Sequence, residues 1–270
     1  LSNRTDAEIT VFEKNSIGSQ TTARSGSNFG WYGDPAQIEM KRYAWELYNE
    51  FLRDPHADLK YEFSGTLKVT RSSEHAELLE KTCGEAYEGQ IPKLLTGKDV
   101  DTVKYLSGEE IERTLFVPHL ETTDVKGAVY RPNWGYMDPV ALTHEFASRA
   151  RQQGVEFREN TPVSDIKLTN GEVSEIVADG KSIMTSNVIC AAGPWNPVIA
   201  DYVGLELPVE HTLGPLFRLD AEFPSHCKPP SIVNEDSGAF CRKDFDGTYI
   251  LGHRPRDPDA QDQYDPETVI

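Results

Sequence analysis

Apolar and polar positions follow two different periods along this chain, and the period changes often. Residues 8–14 gather Ile9, Val11 and Phe12 in one short run, the pattern of a buried strand. Residues 15–33 then carry mostly Ser, Thr, Asn and Gly, too polar for a core and too rich in small residues for a stable helix. From 35 to 53, Ile38, Tyr43, Leu47 and Phe51 recur near helical spacing with charges between them, which predicts an amphipathic helix. Residues 61–69 alternate like a strand around Gly65, and a charged helix is expected from 72 to about 88.

Ser107, with Glu110 three residues later, has the signature of a capping box and predicts a helix start. Asp138-Pro139 predicts another, with Asp at the cap and Pro at the first helical position. Leu142, Phe146 and Ala150 mark its apolar stripe, Gly154 its end, and a short strand follows at 155–158. Alternating segments at 163–168 and 172–178 flank Asn170-Gly171, a strong hairpin signal. Asp179-Gly180 turns the chain again into 181–185. Residues 187–192 are apolar and predict a buried strand, ended by Gly193-Pro194. Later strands are expected at 216–219, 231–233, 239–242 and 248–251. Strand and helix alternate around Val163, whereas the rest reads as antiparallel sheet. The expected class is therefore α/β plus antiparallel β (α+β), with two domains interleaved along the chain.

Composition narrows the function classes. Hydrophobic residues make up 38% and charged residues 26% of the 270, which fits a globular protein. The formal charge of −17 argues against a nucleic-acid partner, since phosphates need a basic surface. No run of about 18 apolar residues is present, so no membrane span is expected, and no signal peptide is visible at the start. Cys83, Cys190, Cys227 and Cys241 are widely separated, favouring reduced thiols over a disulfide framework. The seven histidines lack ligand spacing, so no metal site is expected.

Four segments carry candidate chemistry. Glu13 ends the first strand, where dinucleotide-binding folds place an acid that bonds a ribose hydroxyl. Taken alone, such a residue is equally an ordinary solvated strand end, and no Gly-x-Gly-x-x-Gly occurs nearby. Residues 17–26 combine glycines, hydroxyls and one cation, so Thr21, Thr22 and Ser25 can donate to a cofactor and Arg24 can face a diphosphate or an anionic flavin. A flexible surface loop has the same composition. Ala192-Gly193-Pro194-Trp195 lets backbone pass close to a nucleotide, as would any tight turn after a strand. Thr161-Pro162-Val163 opens a strand directly after a helix and strand.

In this order the segments resemble the D-amino-acid oxidase superfamily of FAD-dependent oxidoreductases, which includes glycine oxidase, sarcosine oxidase and dimethylglycine dehydrogenase. The likeness runs through Ile9-Thr10-Val11-Phe12-Glu13-Lys14, Gly135-Tyr136-Met137-Asp138-Pro139, Thr161-Pro162-Val163, Ala191-Ala192-Gly193-Pro194-Trp195, Leu207-Pro208-Val209 and Ser237-Gly238-Ala239-Phe240-Cys241-Arg242. It covers nearly the whole chain. The late segment also looks like a mitochondrial branch implicated in respiratory complex I assembly. The resemblance implies FAD as cofactor and a partial Rossmann-like FAD-binding domain (1–60 and 135–205) interleaved with a substrate domain on a mixed or antiparallel sheet (61–134 and 206–270).

It further implies that Glu13 binds the adenosine ribose, that Lys14 with Thr21, Thr22, Arg24 and Ser25 lines the diphosphate and flavin, and that Val163 meets the adenine through its backbone. Ala192, Gly193 and Trp195 would pass beside the cofactor. The implied reaction moves a hydride from the carbon next to an amine nitrogen onto flavin, with the cofactor carrying the chemistry. The implied partner is a small amine or amino acid. Oxygen, a quinone or an electron-transfer protein would take the electrons. The expected compartment is the cytoplasm, with the mitochondrial matrix as alternative. The family's glycine-rich turn is expected before Leu1, and a chain without it is expected to bind FAD weakly. For substrate, Arg242 and Tyr249 on adjacent strands are candidates to grip a carboxylate, and Trp31 and Tyr32 to wall a small amine. Ordinary packing explains these four as well. No catalytic residue or covalent flavin link is assigned. Two other functions remain open: a flavoprotein that assists respiratory-complex assembly, and a hydroxy-acid or glycerol-phosphate dehydrogenase of the same superfamily.

Overall fold

The computed structural model describes residues 5–29, 35–85, 103–115, 117, 120–132, 134–209, 214–220 and 228–253. The chain divides into two compact units, one within 1–25 and 139–213, the other within 26–138 and 214–260.

In the first unit, β1 (Thr10–Phe12) pairs in parallel with β8 (Glu156–Arg158), the strand that follows helix α4 (Pro139–Gln152). The register sets Val11 beside Phe157 and Phe12 beside Arg158. A meander of β9 (Val163–Thr169), β10 (Glu172–Ala178) and β11 (Lys181–Met184) follows, in spatial order β11-β10-β9. Its two turns work because Asn170 (φ 55°), Gly171 (83°), Asp179 (49°) and Gly180 (69°) all take the left-handed backbone that tight hairpins require. Ile166, Ile176 and Ala178 form the meander's buried positions. A single 3-10 turn (Gly193–Trp195) leads into α5 (Asn196–Asp201).

The second unit is built on a seven-stranded sheet. Its order is β12 (Leu216–Leu219), β15 (Tyr249–His253), β14 (Ala239–Lys243), β13 (Ser231–Asn234), β4 (Thr66–Thr70), β6 (Gly127–Arg131) and β5 (Lys104–Leu106). Only the β13–β4 pairing is parallel; the other neighbours are antiparallel. Leu67, Val69, Leu106, Ile111, Val117, Val125, Ala128 and Ile232 form its core, and Ile111 is contributed by α3 (Gly108–Thr114). Both arms of the capping box expected at Ser107 are present, with Ser107 accepting from the Glu110 N–H and Glu110 accepting from the Ser107 N–H. The sequence alternation at 61–69 resolves into two strands, because Gly65 breaks it with φ 82°. The earlier half, β3 (Tyr61–Glu62), joins a smaller sheet in the order β2 (Asn28–Phe29), β7 (Gly135–Met137), β3.

Helix α1 (Pro35–Arg53) spans the predicted range and packs Trp45 against Phe29 and Phe63, at 5.6 and 5.9 Å between ring centroids. Residues 26–60, grouped by sequence with the first part of the chain, therefore pack within the second unit. Helix α2 (Ser73–Glu85) lies against β6. No helix of the described residues is long and apolar enough to cross a membrane, and none of them groups three or more His, Cys, Asp or Glu for a metal ion.

A carboxylate ties the β13–β14 loop to α2. Asp236 accepts from the Thr70 hydroxyl and from the Arg71 N–H at 2.7 Å, and His75 Nδ1 lies 2.7 Å from it. Burial pushes the Asp236 carboxyl up, but these partners together outweigh it and leave it below the ordinary Asp value. A depressed folded-state value contributes stability above the unfolded pKa, and that contribution is lost as pH falls through the folded value. The parent should therefore be more stable than Asp236→Asn at pH 7, with the gap closing as denaturant titrations move below about pH 4. A gap of constant size across that range would exclude this origin.

Candidate functional site

The sequence-predicted cofactor residues all lie in the first unit. Glu13 leaves β1 beside β8: its N–H donates to the Arg158 carbonyl at 3.0 Å, and its own carbonyl accepts from Thr161 at 2.9 Å. Its side-chain Oε1 accepts from the Asn15 N–H at 2.9 Å. That bond closes a small turn at the strand end and orients the carboxylate, which has acceptor capacity beyond one bond. Glu159 holds the other side of the turn through the Ile17 N–H at 3.0 Å. Glu159 is absent from the sequence-derived candidates, because a support from residue 159 to residue 17 carries no local pattern.

Lys14 and Trp195, 181 positions apart, are brought together. The Lys14 ammonium sits 3.8 Å above the centre of the Trp195 ring, a favourable cation–π geometry. Trp195 is placed by the 3-10 turn, whose Gly193 has φ 57°, and by Asn196, whose Oδ1 accepts from the Ala192 N–H at 2.7 Å. Cys190 Sγ lies 3.1 Å from the same Asn196 oxygen. The buried strand expected at 187–192 does not form. Val188 is 39% and Ile189 71% exposed, and no strand pairing satisfies this segment among the described residues. An apolar run becomes a buried strand only where a neighbour supplies ladder bonds and cover.

Thr21, Thr22, Arg24 and Ser25 lie in a compact turn. Arg24 and Ser25 donate backbone bonds to the Thr21 and Thr22 carbonyls, and the Arg24 guanidinium folds back onto the Ser19 carbonyl and Gln20 Oε1. Ser19 Oγ is buried without a hydrogen-bond partner among the described residues. Leaving a buried hydroxyl unmet costs about 1–3 kcal/mol. Val163 opens β9 as expected, opposite Ala178. An acid at a parallel strand end, a cation stacked on an indole and an unmet buried hydroxyl in the following turn are groups that fit an adenosine, an anionic diphosphate and a flavin.

The second unit holds Arg242 and Tyr249 on neighbouring strands, both 2% exposed. Arg242 donates to the carbonyls of Gly26 and Lys243 and to Asp244, with its guanidinium 4.3 Å from the Tyr136 ring centre. Tyr136 lies within a family-like segment, yet the sequence assigns it no role. Burial pushes its hydroxyl far up, with Arg242 pulling down and Glu62, Asp244 and Tyr249 pushing up, so it stays protonated near neutral pH. Trp31 and Tyr32 lie outside the described residues.

The fold is a partial Rossmann-like α/β unit interleaved with one built on a mixed, mainly antiparallel sheet, the class to which FAD-dependent amine oxidoreductases belong. Residues 1–269 match the family described as FAD dependent oxidoreductase, and the chain belongs to it. Among curated relatives, 4-methylaminobutanoate oxidase (formaldehyde-forming) of Paenarthrobacter nicotinovorans is 23% identical over 213 residues, 77% of this chain and 24% of the relative. Glycine oxidase of Bacillus subtilis is 22% identical over 211 residues, 74% of this chain and 52% of the relative. L-proline dehydrogenase from P. horikoshii shares the fold at TM-score 0.77 and 22% identity, covering 93% of this chain and 64% of that one. The chain thus spans about a quarter of the first curated relative and about half of the glycine oxidase.

Proposed function

We propose that this chain contributes the cofactor and substrate units of an FAD-dependent enzyme that oxidises the carbon–nitrogen bond of a small amine or amino acid. The observation that carries the proposal is the convergence of Glu13, Lys14 and Trp195 at the end of β1. Relatives named for methylaminobutanoate, glycine and proline support an amine-bearing acid as substrate class. They include both oxidases and a dehydrogenase, so oxygen and another carrier both remain open as acceptor.

Bound FAD would supply the acceptor for a hydride from the carbon beside the amine nitrogen. The chain's own residues bind and orient. Glu13 accepts from the adenosine ribose, Ser19 and the 21–25 turn donate to the diphosphate or flavin, and Lys14 supplies positive charge held in place by Trp195. Val163 offers backbone to the adenine, while Ala192 and Gly193 allow close approach. Trp31, Tyr32 and Tyr249 are proposed on the substrate side.

The test is anaerobic mixing of the FAD-loaded protein with sarcosine, glycine, dimethylglycine, proline and D-amino acids. Loss of flavin absorbance with at least one of them is expected. Bleaching by glycerol phosphate or a hydroxy acid alone would move the protein to that substrate class. Bound flavin that none of these reduces, with a respiratory subunit co-purifying, would make it an assembly factor.

A further inference from the structure

Residues 16–18 join Glu13 and Lys14 to the turn carrying Thr21, Thr22, Arg24 and Ser25, so their course decides where that turn stands. The backbone ladder between the β1 and β8 segments reaches only as far as Asn15. The Glu13 N–H donates to the Arg158 carbonyl, and the Glu13 and Asn15 carbonyls accept from Thr161 and Asn160 at 2.9 and 2.8 Å. Beyond Asn15 a side chain takes over: Glu159 Oε2 accepts from the Ile17 N–H at 3.0 Å. Among the described residues, no other hydrogen bond ties residues 16–18 to a neighbouring segment.

Glu159 is itself held. Its Oε1 accepts from Arg151 Nη2 at 3.3 Å, and its backbone carbonyl accepts from the Thr161 hydroxyl at 2.9 Å. Arg151 stands in the last turn of α4 with its guanidinium 4.7 Å from the centre of the Phe157 ring. The Arg151–Glu159 pair is partly exposed and adds little stability by itself; its effect is to orient the carboxylate. The anchored stretch is well seated. Ile17 is buried, and Gly18 takes φ 74° against α4, where an added Cβ would stand 3.7 Å from the Thr143 side chain. The Ser19 N–H then donates to the Ser16 carbonyl at 3.1 Å, bridging across Ile17. Ser19, with its buried hydroxyl, is thus two residues from the point that Glu159 holds.

We propose that Glu159 is a positioning residue of the cofactor site: its carboxylate, oriented by Arg151, fixes the Ile17 N–H and so places Ser19 and the 21–25 turn for FAD. The inference rests on the assignment of that turn to the cofactor. Such a support matters because binding groups displaced by more than about 0.5 Å no longer meet their ligand well.

The test uses full-length protein, with FAD affinity read by flavin-fluorescence quenching and the bound flavin's environment by visible circular dichroism. Glu159→Gln keeps the reach and an acceptor oxygen but loses the charge. Glu159→Asp keeps the charge but draws the carboxylate back by about 1.5 Å, out of reach of the Ile17 N–H. Glu159→Ala and Glu159→Asp should therefore raise the Kd for FAD about tenfold and alter the flavin dichroism. Glu159→Gln should stay within about threefold of the parent. Glu175→Ala removes an ion pair with Lys167 in the β9–β10 meander and should leave both readings as in the parent.

Parent-like affinity and dichroism in Glu159→Ala or Glu159→Asp would overturn the proposal. So would the reverse order, with Glu159→Asp parent-like and Glu159→Gln weak, because charge rather than the Ile17 bond would then be at work. An equal loss in Glu175→Ala would also overturn it, by showing general weakening of the unit. Should Glu159→Ala fail to fold, the Asp and Gln variants decide by their order. Failure of the functional assignment looks different: the parent itself would bind no FAD, and this inference would fall with it.

Discussion

Gly135→Ala is expected to lower stability by about 3 kcal/mol, or about 6–12 °C in Tm. Gly135 sits in β7, the central strand of the small sheet, facing the backbone of Glu62 on one side and Phe29 on the other. An added Cβ would overlap the Glu62 carbonyl oxygen and stand 3.0 Å from its carbonyl carbon and from Phe29 Cζ. Backbone cannot swing aside as a side chain can, so β3 must move away from β7. That movement loosens the Phe29, Trp45 and Phe63 cluster that seats α1. Gly214→Ala is the control, because no described residue lies within 4 Å of its Cβ position. Calorimetry on both variants checks the argument, and an equal Tm for the two would refute it.

Glu13→Gln is expected to weaken FAD binding about 10- to 100-fold, the range for losing a charge-assisted hydrogen bond of about 1.5–3 kcal/mol. The amide keeps the size of the carboxylate and can still accept from the Asn15 N–H, so the turn at the end of β1 survives. What disappears is the negative charge proposed to meet the adenosine ribose. FMN lacks the adenosine, so its affinity should change far less than that of FAD. Parallel fluorescence titrations with the two flavins separate a ribose contact from general damage. Equal losses for FMN and FAD would assign Glu13 a structural role in the turn, and no loss for either would remove it from the site.

Much of the local structure was legible because its causes are local. Pro35–Arg53, the Ser107 capping box, the Asn170-Gly171 hairpin and the four late strands each follow from periodicity or turn chemistry within a few residues. Short strands such as β2, β5 and β7 were not legible. Two or three residues are too few to show a period, and these form only where a distant partner offers a ladder. The apolar run at 187–192 failed for the converse reason, since its pattern is that of a buried strand but no neighbour pairs with it among the described residues. Of the candidate site, the residue types of Glu13, Lys14 and the 21–25 turn are the features that the sequence offers. Glu159, Asn196, Ser19 and Tyr136 are not among them, because their significance depends on what they touch.

The amino-acid sequence alone determined the mixed class of the fold, the ordered flavoprotein-like segments and the acidic strand end at Glu13, all properties carried by neighbouring residues or their order. Tertiary structure alone decided that Lys14 meets Trp195, that residues 26–60 pack within the second unit, and that Arg242 is spent on Gly26 and Asp244. The physical reason is sequence separation. Contacts spanning 181 or 216 positions leave no trace in local composition and exist only once the backbone has closed the loops between them.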